Sequence, residues 1–185
     1  MEDTQALLEI SRKISLAELL DAKEKRSKTQ RRLLKTFGKT LVCLLVNYVG
    51  EVKADKNTKI IFEEGFSAIK NLIEPIYVAQ NFFATGEEGF FVTDLDAKKA
   101  KRLLCDLEQT HILGRLFDVD VFDADGVQIG REELGLPPRK CFVCERVARE
   151  CYVARRHDKA QLKEFTEQKI AQFVLQKQKE INSKD

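Results

Sequence analysis

The amino-acid sequence predicts an α+β fold built on one sheet. Apolar, β-branched segments typical of strands come in turn with amphipathic segments typical of helices, in the order β-α-β-β-α-β. This order is typical of a ferredoxin-like sandwich, with the helices on one face of the sheet. A short hairpin follows it, and helical segments flank it at both ends. We therefore expect a ferredoxin-like βαββαβ sandwich with a hairpin extension and flanking N- and C-terminal helices.

The first predicted elements are a long helix and a buried strand. Ser15-Leu16-Ala17-Glu18 has the form of a capping box, which opens a helix running to about Phe37, and Gly38 ends it. The middle of this helix, 23–32, is nearly all polar and is expected to face solvent. The continuous apolar run 40–49 predicts a buried strand.

The next elements complete the first half of the predicted sheet. Apolar residues at helical spacing predict a helix over 57–73, and a strand is expected over 76–85. Gly86-Glu87-Glu88-Gly89 predicts a turn into a third strand, 90–93. Asp94 is expected to cap the second core helix. That helix carries an apolar stripe, which consists of Ala97, Ala100, Leu103, Leu104 and Leu107.

The last predicted strand contains the most informative residues of the chain. In Gly114-Arg115-Leu116-Phe117-Asp118-Val119-Asp120-Val121, alternation puts the apolar side chains on one face and Asp118 and Asp120 on the other. Two carboxylates so placed can share a hard cation such as Mg²⁺. Gly114 would allow close approach to a ligand, and Arg115 offers a donor fork suited to phosphate. This combination indicates phosphoryl or nucleotidyl transfer, although solvated strand charges give the same pattern.

A predicted hairpin follows this strand. Asp123-Ala124-Asp125-Gly126 is typical of a turn, and a short partner strand is expected over 127–129. We therefore interpret Asp123 and Asp125 as turn residues.

Composition narrows the class of protein. The 185 residues suit a single domain, 1–185, with an N-terminal helical segment (1–38), an α/β core (39–130) and a basic Cys/His segment with C-terminal helices (131–185). The 32 basic and 30 acidic side chains nearly cancel, so no overall field selects nucleic acid or membrane. The first residues do not resemble a signal peptide, and the five cysteines are an odd number. We expect a cytoplasmic protein.

The basic Cys/His segment contains the spacing C-x2-C-x6-C-x5-H. Its members are Cys141, Cys144, Cys151 and His157. Three thiolates and an imidazole can close a tetrahedral Zn²⁺ site, so a structural zinc is one interpretation. The other is a buried helix stripe, in which cysteine acts as a small apolar residue. Cys43 and Cys105 lie in apolar patterns and are expected in the core.

Two long motifs give the sequence a family resemblance. The string 107–121, Leu-Glu-Gln-Thr-His-Ile-Leu-Gly-Arg-Leu-Phe-Asp-Val-Asp-Val, and the string 136–144, Leu-Pro-Pro-Arg-Lys-Cys-Phe-Val-Cys, resemble the holo-citrate lyase synthase family. Its members are also called apo-citrate lyase phosphoribosyl-dephospho-CoA transferases. The resemblance extends to 15–20, to 61–65 and to 86–89.

The resemblance implies a nucleotidyltransferase-type reaction in one transferase domain. Such enzymes attach the phosphoribosyl-dephospho-CoA part of 2′-(5″-triphosphoribosyl)-3′-dephospho-CoA to a serine of the citrate lyase acyl carrier (gamma) subunit, and pyrophosphate leaves. No nucleic acid or membrane partner is implied.

Roles for individual residues follow from combining this chemistry with the motifs. Asp118 and Asp120 would hold Mg²⁺ against the triphosphate, and Arg115 would clamp a phosphate. His111 could accept the serine proton or only order its loop, and Glu108 is a weaker candidate base.

The remaining basic candidates are assigned to binding. Arg131, Arg139 and Lys140 could bind the dephospho-CoA phosphates or an acidic carrier surface. An exposed surface position is the competing interpretation for each of them.

Two other functions remain open. One is a non-catalytic, zinc-stabilised adaptor that binds RNA or an acidic protein through the basic stretch 139–159. The other is a nucleotidyltransferase that uses ATP or CTP on a different acceptor, since the aspartate pair alone does not select a CoA derivative.

Overall fold

The computed structural model describes residues 11–183, so the predictions for the first ten residues lie outside the described range. The helices are α1 (Leu16–Phe37), α2 (Lys56–Ile73), α3 (Ala97–Thr110), α4 (Ala148–Val153) and α5 (Lys159–Asn182). The strands are β1 (Thr40–Val46), β2 (Tyr77–Phe83), β3 (Gly86–Thr93) and β4 (Phe117–Phe122). Short 3₁₀ turns cover Gly114–Leu116 and Glu132–Leu134.

The strands form one antiparallel sheet in the order β2-β3-β1-β4. Strand β1 lies in the interior of the sheet, which explains its continuous apolar sequence, and β4 lies at one edge. Mixed helices and an antiparallel sheet confirm the predicted α+β class. Within residues 11–183, no helix is both long and apolar enough to cross a membrane.

Both faces of the sheet are covered, but by different helices. The main core contains Phe91, Phe117, Val119 and side chains of α2, α3 and α5. The opposite face packs Cys43, Phe90 and Val92 against Leu33 of α1. Side chains of β4 therefore alternate between the main core and the α1 face, and this alternation positions the candidate site.

Helix α1 begins and ends as its sequence predicts. The Ser15 side chain accepts from the Glu18 N–H while Glu18 accepts from the Ser15 N–H, and Gly38 adopts a left-handed conformation at the C-cap. The expectation that its polar middle only faces solvent is wrong at Arg26 and Gln30. Arg26 pairs with Glu88 on β3 at 3.0 Å, and Gln30 lies 3.4 Å from the Cys43 sulfur.

One predicted turn and one predicted helix cap are wrong. Gly86–Gly89 is the start of β3, not a turn, because Glu87 and Glu88 are held in the sheet by Thr58 of α2 and by Arg26. Asp96, not Asp94, caps α3, and Asp94 pairs with Lys39.

Three strand predictions were too long. The first strand ends at Val46, and the strand expected over 76–85 covers Tyr77–Phe83. The expected partner of β4 is reduced to a bridge between Phe122 and Gln128. The turn before it is confirmed: Asp123 Oδ1 accepts from the N–H groups of Asp125 and Val127.

Candidate active site and metal centre

Asp118 and Asp120 lie on the same side of β4. Asp118 is opposite Leu45 and Asp120 is opposite Cys43, so both carboxylates belong to the α1 face, while Phe117, Val119 and Val121 are buried in the main core. The Asp118 side chain is 50% exposed. The buried side chains of Phe117, Val119 and Val121 therefore fix the strand that carries the pair, and Asp118 is open to solvent.

The surroundings of Asp120 suit a bound cation. Burial, followed by the negative charge of Asp118, raises the pKa of Asp120 above its usual value. Gln128 donates to Asp120 Oδ1 at 2.7 Å. A divalent ion would offset the cost of a buried, ionised Asp120 beside Asp118, and carboxylate oxygens are the ligands that Mg²⁺ prefers.

Strand β4 lies at the edge of the sheet, and side chains from other elements donate to its backbone carbonyls there. Lys101 Nζ donates to the Val119 carbonyl at 2.8 Å, and Arg139 Nη2 donates to the Phe117 carbonyl at 2.5 Å. The sequence interpretation missed Lys101, although a lysine beside the buried stripe position Ala100 was a signal. These bonds fix the edge strand that carries the carboxylates.

Arg115, Arg131 and Arg139 lie around the buried carboxylate of Glu108, and Arg139 also approaches Asp118. Glu108 Oε2 lies 2.6 Å from Arg131 Nη2 and 4.0 Å from Arg139 Nε, and Arg139 Nη1 lies 3.7 Å from Asp118 Oδ1. Burial, followed by the charge of Arg139, lowers the pKa of Arg115. The buried Arg115 Nε has no hydrogen-bond partner within residues 11–183. This excess of donors over carboxylates favours an anion.

The surroundings of Glu108 and Gly114 indicate that both residues support the structure of the site. Glu108 is 5% exposed and is engaged by arginines, so its geometry suits an organiser of the cluster better than a base. A Cβ on Gly114 would lie 2.6 Å from the Leu107 carbonyl oxygen and 2.7 Å from that of Glu108. The close approach that requires glycine here is to the end of α3.

His111 lies on the other side of the sheet from the aspartate pair. Its ring packs against Phe117 and Phe173 in the main core, and Nε2 lies 3.2 Å from Glu64 of α2. Its Nδ1 accepts from the Leu113 N–H at 3.1 Å, which orders the loop before β4. The structure therefore does not bring His111 together with Asp118 and Asp120.

A third carboxylate shares the face of the aspartate pair. Glu88 on β3 is 5% exposed and is bound by Arg26 and by Asn81 of β2. The sequence pattern hid it, because a Gly-Glu-Glu-Gly string is also typical of turns.

A cleft of about 420 Å³ continues from this face along α1. It lies between α1 and the turn after β4, with Arg31 and Lys35 on one wall and Phe122 and Asp125 on the other. Its size is within the range of small-molecule sites, and its basic wall favours an anionic ligand.

Lys140 is separated from this group. Its amine pairs with Glu145 at 2.6 Å, and the side chain is 63% exposed. Among residues 11–183, its ion pair and its backbone bridge to Val147 both lie within the loop that contains the cysteines and at the start of α4.

Cys141, Cys144, Cys151 and His157 form a cluster that could bind a metal ion. Their ligand atoms all lie within 4.8 Å of one another, and the sulfurs of Cys144 and Cys151 are 3.5 Å apart. The backbone N–H of Arg146, then His157, lowers the pKa of Cys144 to about 7.

The predicted alternative of one continuous helix stripe is wrong for these cysteines. Cys141 and Cys144 lie in a loop before α4, and only Cys151 is helical. Cys43 and Cys105 are buried in the core as predicted.

Comparison with known proteins identifies the family. A family model described as apo-citrate lyase phosphoribosyl-dephospho-CoA transferase matches residues 14–173. The chain belongs to this family. The match contains the aspartate pair, the arginine cluster and the Cys/His cluster, and the resemblance noted in the two motifs is confirmed.

Relatives from Vibrio cholerae and Escherichia coli carry this transferase name. The chain is 37% identical over 150 residues to the probable apo-citrate lyase phosphoribosyl-dephospho-CoA transferase of Vibrio cholerae, covering 78% of this chain and 84% of the relative. It is 32% identical over 149 residues to the transferase of Escherichia coli O1:K1, covering 78% and 81%. It is 34% identical over 158 residues to protein CitXG of Haemophilus influenzae, covering 79% of this chain but 32% of that longer protein.

Proposed function

We propose that this protein transfers the phosphoribosyl-dephospho-CoA group from 2′-(5″-triphosphoribosyl)-3′-dephospho-CoA to a serine of the citrate lyase acyl carrier (gamma) subunit. The observation that carries the proposal is the pair Asp118 and Asp120 on one side of β4, with Asp118 half exposed and 3.7 Å from Arg139 of the arginine cluster. Membership of the transferase family supports the acceptor and the transferred group.

The proposed reaction is a nucleotidyltransferase-type displacement. The serine Oγ forms a bond to the α-phosphorus of the triphosphate while the bond from that phosphorus to the bridging oxygen breaks. Pyrophosphate leaves with the electrons of that bond, and the serine proton passes to a base or to water. The product is a phosphodiester.

Asp118 and Asp120 would hold Mg²⁺, which when bound neutralises charge on the triphosphate and on the leaving pyrophosphate. The support is geometric and electrostatic: both carboxylates lie on the same side of β4, and burial, then the charge of Asp118, raises the pKa of Asp120. The buried main core behind Phe117, Val119 and Val121 fixes the direction in which both carboxylates point.

The arginine cluster would bind and orient the phosphates. Arg115 has a buried donor without a partner among the described residues, and Arg131 and Arg139 share one carboxylate, Glu108. Their remaining donors are available to phosphate oxygens, where planar forks bind well. Gly114 supports this site by letting the segment that carries Arg115 pack tightly against α3.

The cleft beside α1 is a second region of the proposed substrate site. It adjoins Phe122, two residues from Asp120 on the same face, and Arg31 and Lys35 give it a basic wall. We assign it to the dephospho-CoA end of the substrate. Lys140, exposed on the cysteine loop, is assigned to the acidic carrier instead.

His111 as the proton acceptor remains a separate proposal, and its place behind the sheet favours the structural role. Its bonds to Glu64 and Leu113 occupy both ring nitrogens. The serine proton would then reach water or a phosphate oxygen near the aspartate pair.

Two finer structural assignments belong with this function. We assign the strand order β2-β3-β1-β4 with its two crossover helices to the ferredoxin-like arrangement. We also assign Zn²⁺ to the Cys/His cluster, because three thiolates and an imidazole are a zinc donor set.

The test mixes the protein with apo-carrier, the triphosphoribosyl precursor and Mg²⁺ and measures the mass of the carrier. A gain equal to the phosphoribosyl-dephospho-CoA group, with pyrophosphate released, is expected. Parallel reactions with ATP or CTP test a different nucleotidyltransferase. Binding of carrier or RNA with no mass gain from any donor would contradict the proposal and favour the adaptor.

A further inference from the structure

The loop that holds the four metal-ligating side chains is continuous with one of the three site arginines. Arg139 precedes Cys141 by two residues, and its carbonyl accepts from the Ala148 N–H at 2.8 Å. The Cys141 N–H donates to the Arg146 carbonyl at 2.7 Å. These two bonds close the loop around Cys141 and Cys144, with Arg139 at its base.

The side chain of Arg139 leaves this loop and reaches the candidate active site. It donates to the Phe117 carbonyl at 2.5 Å and lies 3.7 Å from Asp118 and 4.0 Å from Glu108. With the Arg115 carbonyl, four groups therefore surround one guanidinium and contact its three nitrogens. The two carboxylate contacts are long, at 3.7 and 4.0 Å, so a shift of the Arg139 backbone would readily change them.

Besides the cluster, these two backbone bonds and the Lys140–Glu145 ion pair hold the loop, with little apolar packing to support them. It contains no helix or strand between the short turn at Glu132–Leu134 and α4, and α4 is only six residues long. Phe142 packs on Phe165 of α5, with ring centroids 5.3 Å apart. A short segment with so little apolar burial typically needs a staple such as a metal or a disulfide.

The cluster has the composition and spacing of such a staple. A tetrahedral ion with Zn–S bonds of about 2.3 Å places its ligand atoms about 3.8 Å apart. The four ligand atoms here lie within 4.8 Å of one another. The buried Nε2 of His157 also has no hydrogen-bond partner within the described residues, as expected of a nitrogen that binds a metal.

We propose that Zn²⁺ bound by Cys141, Cys144, Cys151 and His157 positions Arg139 at the Asp118 carboxylate, so that transfer depends on a metal that touches no substrate. Arg139 is the residue that would bind phosphate, and the four ligands are positioning residues. The activity component of this proposal rests on the proposed function, whereas the metal and loop components do not.

The first test measures the metal and the loop without any reaction. Protein purified without chelator is expected to contain one zinc per chain, and Co²⁺ substitution should give the absorption bands of a tetrahedral thiolate site. Removal of the metal should speed hydrogen exchange at the Cys141 and Ala148 amides at least tenfold, while β4 stays protected. Metal-free protein with an unchanged, ordered loop would overturn the proposal, as would a Cys144–Cys151 disulfide in its place.

The second test separates positioning from general stability. Cys144→Ser is expected to lose zinc and to raise the KM for the triphosphoribosyl substrate about as much as Arg139→Ala, on the order of tenfold or more, with a smaller change in kcat. Adding Cys144→Ser to Arg139→Ala should then cost little more, because both act through one guanidinium. Fully additive losses would contradict the coupling.

Matched variants keep this experiment decisive. Cys105→Ala removes a buried cysteine outside the cluster and should keep both zinc and KM. His157→Cys retains four ligands and should keep zinc and near-normal KM, even if Cys144→Ser fails to fold. A KM raised tenfold or more in His157→Cys, with zinc retained, would overturn the positioning role. Absence of transfer in the wild type with zinc bound would instead defeat the proposed function.

Discussion

Gln128 donates a hydrogen bond of 2.7 Å to Asp120 from the short segment that follows the turn after β4. This bond ties the turn to the inner carboxylate of the pair. Asp118, whose side chain is 50% exposed, is the carboxylate of the pair that is open to solvent. The two aspartates therefore point to the same side of β4 but lie in different environments, and substitutions at the two positions should affect stability differently.

The raised pKa of Asp120 predicts a pH-dependent stability. Between its usual value of 3.8 and its higher value in the folded protein, the folded state binds more protons than the unfolded state. The Asp120 contribution to the free energy of unfolding therefore falls as pH rises through that window, and the ionised carboxylate costs stability at pH 7. Asp120→Asn should raise the Tm at pH 7, and the gain should vanish below pH 3.8.

Asp106→Asn is the matched control for that measurement, because Asp106 is exposed on α3 and its side chain has no hydrogen bond or ion pair among the described contacts. It should leave the Tm nearly unchanged at both pH values. A lower Tm for Asp120→Asn at pH 7, in metal-free buffer, would show that the ionised Asp120 carboxylate does not destabilise the folded protein.

Glu108 is expected to organise the arginine cluster rather than to act as a base. Glu108→Ala leaves Arg131 and Arg139 without their buried partner and should lower the free energy of unfolding by about 3 kcal/mol. Urea denaturation measures this loss, with exposed Glu132→Ala as the control. A fully stable Glu108→Ala protein that has lost only kcat would instead support a catalytic base.

His111 gives a prediction that separates its two roles. In the structural role, His111→Ala removes the contacts with Glu64 and Phe117 and lowers stability, while kcat falls less than tenfold. In the catalytic role, kcat falls by about 10²–10⁴. Glu64→Gln is the control, since it weakens the same contact without touching the ring. A loss of 10² or more in a well-folded His111→Ala protein would reject the structural role.

Gly114 should tolerate no side chain. The Cβ of Gly114→Ala would lie 2.6 Å from a backbone oxygen of α3, and the forced shift should cost about 1–3 kcal/mol. At Gly130 the nearest atom to an added Cβ is the end of the Glu133 side chain at 3.6 Å, so Gly130→Ala should cost much less. Equal Tm values for the two variants would contradict this packing.

The alternating sequence of β4 was sufficient to predict the direction of both aspartates, because one buried face dictates the other. The start and end of α1 could also be predicted from the local sequence, since a capping box and a left-handed glycine depend on a few neighbouring residues. Membership of the family followed from two long motifs in the same way.

The rest depends on contacts between residues distant in the chain. Glu88 lies in β3 opposite Asn81 of β2, and its buried side chain pairs with Arg26, 62 residues earlier in the chain. His111 is separated from Asp118 because the loop before β4 turns its ring toward α2, and the short sequence between them does not show that. The sharing of Glu108 between Arg131 and Arg139 likewise exists only once α3 and the later loop are packed together.

The central claim is that Asp118 and Asp120 together support transfer, and carrier mass measured with single variants tests it most directly. Asp118→Asn and Asp120→Asn should each abolish the mass gain while far-UV circular dichroism and carrier binding stay unchanged, and Asp106→Asn should react as the wild type does. Near-normal turnover in either of the first two variants would contradict the claim.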